Sequence, residues 1–127
     1  MPKITFTDDF LSIQQCQDNP DTIYLFGDNL EGWGNAGQAS IRKQKNAHGI
    51  PTKLKPSMSE DAFFSDEQLE DYKWYLSSAE THLRYLLTKG YTKVVCHKQI
   101  GKGLADMPNR SPQCYVALLE FLLNFEF

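Results

Sequence analysis

The chain has 127 residues, 41% hydrophobic and 23% charged, with a formal net charge of −3. That length makes one domain with one real core, and the balance of charge argues against a protein dedicated to coating nucleic acid. No apolar run approaches a membrane span, and the stretch Met1 to Asp9 lacks the charged-then-apolar layout of a signal peptide, so a cytoplasmic chain with no membrane partner is expected.

Lys3 to Thr7 alternates polar and apolar residues, which predicts a half-buried strand. Asp8 or Asp9 is placed to cap a short helix from Phe10 to Cys16, with Phe10, Ile13 and Cys16 on one face. Asp18-Asn19-Pro20-Asp21 is a turn by composition. Thr22 to Phe26 is rich in β-branched and aromatic residues and predicts a buried strand. Gly27 to Gly37 then holds four glycines in eleven residues. Ala36 to Lys43 reads as a short helix. Ala47 to Lys53 reads as extended, because Pro51 biases Ile50 away from the helical region.

Lys55 to Asp66 is a polar loop carrying Phe63 and Phe64, as core anchors or as a lid. Ser65 or Asp66 caps the clearest element, a helix whose Leu69, Tyr72, Leu76, Ala79, Leu83 and Leu86 recur at spacings of three and four. Gly90 ends it. Lys93 to His97 predicts another strand, and a second glycine loop follows, Gln99 to Pro108. The last helix is expected from about Ser111, with Pro112 in its first turn and Tyr115, Leu118, Leu119, Leu122 and Phe125 on its apolar face. Strands alternating with helices predict an α/β fold with a mainly parallel or mixed sheet, taken here as a three-layer mixed sheet with helices on both faces. Both glycine loops leave the C-terminal ends of strands, the edge at which open α/β sheets bind ligands.

The three cysteines (Cys16, Cys96, Cys114) are odd in number and widely spaced, with no C-x-x-C, so buried thiols are expected rather than disulfides or a zinc site. His48, His82 and His97 are equally scattered, and no spacing suggests a metal or a cofactor.

Backbone N–H groups in glycine-rich turns make anion nests, and a helix starting near Ala36 would add its positive end. Arg42, Lys53 and Lys102 would add charge. Asp28 and Asn29 at the strand exit suit ribose hydroxyls, and Trp33 offers a stacking face for a base. Each has a plainer reading: glycines for tight turns, Asp28 as a cap, Trp33 packed on a helix, Arg42 at a solvated helix end. Neither a Walker A motif nor a clean G-x-G-x-x-G is present. No nucleophile–base set assembles; Asp28, Asn29 and His48 lie nearest the loops.

The order of these features resembles the macro domain, the ADP-ribose-binding module. Asp8-Asp9 sits where that family's base-contacting acid would be. Asn29 through Ile41 (N-L-E-G-W-G-N-A-G-Q-A-S-I) is similar to its Asn and first loop, and Ile100-Gly101-Lys102-Gly103-Leu104 to the loop that wraps the diphosphate. The chain departs from the family in three places: F-G-D-N stands for N-A-A-N, the first loop lacks a run of glycines, and Lys102 replaces a small residue. A nearer likeness is to small phage and bacterial proteins of no settled activity that carry G-D-N, G-Q-A and I-P-T-K, here Gly27-Asp28-Asn29, Gly37-Gln38-Ala39 and Ile50-Pro51-Thr52-Lys53.

The resemblance implies a single macro-like domain that binds a phosphorylated nucleotide. Gly27, Gly34, Gly37, Gly101, Gly103 and Leu104 would line the ligand, with Gln38, Arg42, Thr52, Lys53 and Lys102 contributing polar groups. Asp8 or Asp9 would meet the base. In a phage–host setting it would sequester a nucleotide signal. The competing readings are a hydrolase of ADP-ribosyl bonds or a nucleotide derivative, and a non-catalytic interaction domain.

Overall fold

A computed structural model describes residues 1–127. Four strands form one sheet: β1 (Thr5–Thr7), β2 (Thr22–Asn29), β3 (Ala47–Lys53) and β4 (Lys93–His97), in the order β1-β4-β2-β3. The α/β class is as expected, but the sheet is not mixed. All three pairings are parallel, and antiparallel contact is confined to an isolated bridge between Lys3 and Glu126 near the chain ends. Every strand-to-strand link is therefore a crossover, and the one from β3 to β4 carries a long helix, Leu69–Leu87.

β2 reads as a continuous apolar run because both of its faces are covered. Ile23 and Leu25 join the main core with Val94, Cys96 and Ile50, under α2 (Leu69–Leu87) and α4 (Pro112–Asn124). Tyr24 and Phe26 point the other way, into a smaller cluster with Leu11, Cys16 of α1 (Ile13–Asp18), Ala39 and Ile41. Helical segments thus lie on both faces of the sheet. A short α3 (Met107–Arg110), not foreseen in the sequence, leads into α4. No helix is long and apolar enough to cross a membrane.

Local chemistry sets the boundaries. α1 begins at Ser12, not after Asp8 or Asp9. Ser12 Oγ accepts from the Gln15 N–H at 3.1 Å, and Gln15 Oε1 accepts from the Ser12 N–H at 2.9 Å. This reciprocal capping box satisfies two N-terminal donors that Asp8 and Asp9 lie too early to reach. Phe10 and Ile13 are consequently exposed, and Leu11 takes the buried place. The expected helix Ala36 to Lys43 is only a 3₁₀ turn, Gly37–Ile41. α2 is entered through a second capping box, Ser65 with Gln68. Phe63 and Phe64 are both buried as core anchors, and Phe64 packs edge-on to Tyr72 at 4.8 Å. All three cysteines are buried free thiols.

The chain after β2 turns toward the α1 face, where Ala39 and Ile41 pack. The chain after β4 turns toward the α2/α4 face, where Ala105 and Met107 pack. β2 and β4 are neighbours in the sheet. Connections that leave adjacent parallel strands for opposite faces open a crevice at the strands' C-terminal edge.

The turn before β3 depends on a residue that no local pattern marks. Asn46 is buried, and its Nδ2 donates to the carbonyls of Cys16, Asn19 and Thr22 at 3.0, 3.2 and 2.8 Å. Asn46→Ala should cost about 1–3 kcal/mol, the cost of leaving buried acceptors without a donor. Asn46→Asp should cost more at neutral pH, because a carboxylate would face three carbonyls, and should regain part of that loss when acidified. Urea unfolding of both variants at pH 7 and pH 4 measures this; equal stability of Asn46→Asp and the parent at pH 7 would refute it.

Candidate functional site

At the C-terminal edge of the sheet lies a cavity of about 590 Å³, lined by the ends of β2 and β3, by Trp33 to Ala39, and by Gln99 to Gly101 and Gly103 to Ala105. The two glycine loops do meet at one cleft. A third wall comes from Lys55, Pro56 and Ser57, and Pro56 approaches the first loop at Gly34. Of the residues expected from sequence, Gly27, Asp28, Asn29, Trp33, Gly34, Gly37, Gln38, Arg42, Thr52, Lys53, Gly101, Gly103 and Leu104 all line it. Asp8, Asp9 and Lys102 do not. Asp8 is turned outward, with Oδ1 at 2.9 Å from Lys98 Nζ. The Asp9 N–H is tied back to Thr7 Oγ1. Lys102 is exposed. Among the residues sequence reasoning left out, Phe10, Glu31, Ser57 and His97 also face the cavity. Phe10 reads in the sequence as part of a helix face, Ser57 and His97 stand alone without a motif, and Glu31 falls inside the first-loop stretch without being marked as one of its ligand groups.

Asp28 and Arg42 are present but not as free ligand groups. Arg42 forks onto the Asp28 carboxylate, with N–O distances of 2.8 and 2.6 Å, and its Nε donates to Gly34 O at 2.9 Å. The guanidinium also lies over the Phe26 ring at 5.2 Å. Such a bidentate, partly buried pair carries geometric specificity. Here it anchors the first loop to β2. Asn29 is equally committed: Oδ1 accepts from the Glu31 and Gly32 N–H groups at 3.0 Å each, and Nδ2 donates to Trp33 O at 2.8 Å. The Gln38 Oε1 accepts from the Leu11 N–H at 2.7 Å. Thr52 Oγ1 donates to Asp28 O at 3.2 Å.

What remains available is mostly backbone. The N–H groups of Trp33 to Ala36 on the first loop have no acceptor within the protein, nor do those of Gly101, Gly103, Leu104 and Ala105 on the second. Gly101 and Ala105 are buried positions, where an unpartnered N–H is rare. Gly101 also has φ +81°, and a Cβ there would meet Leu118 at 3.0 Å, so the turn requires glycine. The expected helix dipole at Ala36 is not part of the site, because a five-residue 3₁₀ turn sums too few peptide units.

Lys53 is the cavity's one cation without a carboxylate in bridging distance. It is 8% exposed. Its Nζ donates to Ser57 O at 2.6 Å and sits 4.9 Å from the centre of the Phe63 ring, whose other neighbour is the Arg110 guanidinium at 3.7 Å. Burial, reinforced by Arg110, lowers the Lys53 pKa from its ordinary value. At the rim, Trp33 is 58% exposed, not packed on a helix, and its Nε1 donates to Glu31 Oε1 at 3.1 Å. His97 accepts the Gln99 N–H at Nδ1 (3.0 Å), so its proton is on Nε2, which donates to Asp8 O at 3.1 Å.

His48 does not belong to this cavity. It faces α2, with Nε2 at 3.2 Å from Ala79 O and its ring edge-on to His82. A smaller cavity of about 300 Å³ there shares Asp28 and Asn29 as its wall. Burial drives the His48 pKa down to about 4. Burial likewise pushes the Cys96 thiol up to about 12 and Cys114 to about 11, so neither is a nucleophile at neutral pH. No three His, Cys, Asp or Glu side chains converge as a metal set.

A family of unknown function, DUF7831, matches residues 6–121, and the chain belongs to that family. No curated protein and no solved structure matches it.

Gly49 has no side chain, and a Cβ there would lie 2.6 Å from Asp28 Oδ2. Gly49→Ala should displace that carboxylate and cost about 1–3 kcal/mol, seen as a lower urea midpoint at unchanged slope. An unchanged midpoint would mean that the ion pair shifts at no cost. His48 should stay neutral in the folded protein down to about pH 4. The unfolded chain then binds the extra proton between the ordinary imidazole value of about 6.5 and that point, so stability falls as pH drops through the window. His48→Gln should flatten this part of the stability–pH curve. Parallel curves for the two proteins would contradict it, as would an NMR titration of His48 near its ordinary value.

Proposed function

We propose that the cleft binds a phosphorylated nucleotide of the ADP-ribose type, held by both glycine loops of a macro-like domain. One observation carries the reading: two loops from adjacent parallel strands line a single cavity, and both offer backbone N–H groups that have no acceptor in the protein. Such donors suit phosphate oxygens. The cavity volume lies within the usual range for small-molecule sites. Lys53 supplies a full positive charge in the wall, and Trp33 supplies an exposed aromatic face at the rim for a base or sugar.

The commitment of Asp28 and Asn29 to the loop supports a binder over a hydrolase. A water-activating carboxylate must be within reach of its water, whereas Asp28 already accepts from Arg42 and from the Asn29 N–H. In a phage–host setting, binding without turnover would sequester a cytoplasmic nucleotide signal.

ADP-ribose should raise the melting temperature and return intact on chromatography. A chemically changed ligand would favour the hydrolase. Gly103→Trp should abolish the shift while leaving the fold unaltered, since a Cβ at Gly103 meets nothing within 4 Å. Lys53→Met should weaken binding about tenfold or more, the loss of one charge-assisted contact. Undiminished binding by both variants would place the ligand elsewhere.

A further inference from the structure

The charges around the cleft are not evenly neutralised. Five charged side chains line it: Asp28, Glu31, Arg42, Lys53 and Lys55. Asp28 and Arg42 cancel one another. Lys55 is held by Asp61 at 2.6 Å. That leaves two without an ion-pair partner, a cation and a carboxylate at different depths. Lys53 is set within the wall, and Glu31 is exposed at the rim. Glu31 does not stand alone: it accepts the Trp33 indole N–H. This bond fixes a carboxylate at the edge of an exposed aromatic face.

An aromatic face attracts a cation through its quadrupole, and a neighbouring carboxylate adds direct Coulomb attraction. The rim is therefore built for positive charge, and the wall, with Lys53 and the free N–H groups, for negative charge. A nucleotide with a neutral distal end would leave the Glu31 charge unused. Resting on the nucleotide reading above, we propose that the preferred ligand is a pyrophosphate-linked dinucleotide whose distal ring is cationic, seated on Trp33 beside Glu31. The distal ring is a flat cation, which presents its whole face to the indole.

Oxidised and reduced nicotinamide dinucleotides are the fitting probes, because they differ by one hydride and by the ring's positive charge. ADP-ribose, which lacks the ring, serves as the reference. Calorimetric titration should show the oxidised form bound about fivefold or more tightly than the reduced one, the scale of an exposed cation–π contact aided by a nearby charge. Glu31→Gln keeps an acceptor for the indole N–H and removes only the charge. It should bring the two affinities close together, each read relative to ADP-ribose binding by the same variant. Glu31→Lys, at an exposed position, should reverse the order. If ADP-ribose binds but the oxidised dinucleotide shows no preference, or the preference survives Glu31→Gln, the charge assignment is wrong and the nucleotide cleft stands. If none of the three ligands binds, the cleft reading fails and this proposal with it.

Discussion

The fork between Arg42 and Asp28 organises the working edge of this protein. Asp28 sits where β2 leaves the sheet, and Arg42 closes the 3₁₀ turn on the far side of the first glycine loop. Joining them closes a loop of more than a dozen residues around the cavity's first wall. The same guanidinium holds Gly34 O and covers Phe26. The same carboxylate accepts the Asn29 N–H, and the Asp28 carbonyl accepts Thr52 from β3. The arrangement fits because Gly49 on the neighbouring strand leaves the carboxylate its space. A pair this enclosed is costly to break, since either partner left alone would be a poorly solvated charge.

The second wall is secured differently. The turn after β4 is closed by its own backbone: Ile100 N–H to His97 O, Lys102 N–H to Gln99 O, and Met107 N–H to Gly101 O. Gly101 is pressed against Leu118 and Met107 of the main core. One loop is thus held by an ion pair and the other by packing. Preorganisation of this kind reduces the entropy a ligand must give up on binding. It also explains why the free donors lie on the loops. The turn geometry satisfies the N–H groups that point inward along the chain and leaves those of Gly101 and Ala105 without a partner.

Much of the fold was legible because period and composition report burial directly. β2, β4, α2 and α4 stand out in the sequence, since each carries the apolar pattern that its layer demands. The convergence of two glycine loops was legible too, because parallel topology puts strand ends on one edge. The roles of individual polar residues were not. Asp28 and Arg42 are fourteen positions apart, and nothing local says that they neutralise each other. Asn29, at a strand exit, looks the same whether it serves a ligand or an Asx turn. Asp8 and Asp9 look like caps until the Ser12–Gln15 box claims the helix start. The choice between a parallel and a mixed sheet stayed open in the sequence, because strand direction depends on where each crossover returns.

Lys53 shows what this division leaves over. An ammonium set in a protein wall with no counter-ion is a poor choice for stability alone. Here its cost is lowered by the Ser57 carbonyl and by the face of Phe63, neither of which carries a formal charge to cancel it. Burial is the main reason that the Lys53 proton is held less tightly, and the Arg110 guanidinium over the same Phe63 ring adds to it. A fold that needed only packing would place a neutral residue there. The residual positive charge therefore acts outward, into the cavity, where low dielectric walls weaken its screening. Together with N–H groups that lack acceptors, it gives the interior of the cleft the excess of donors and positive charge on which the proposed anion site rests.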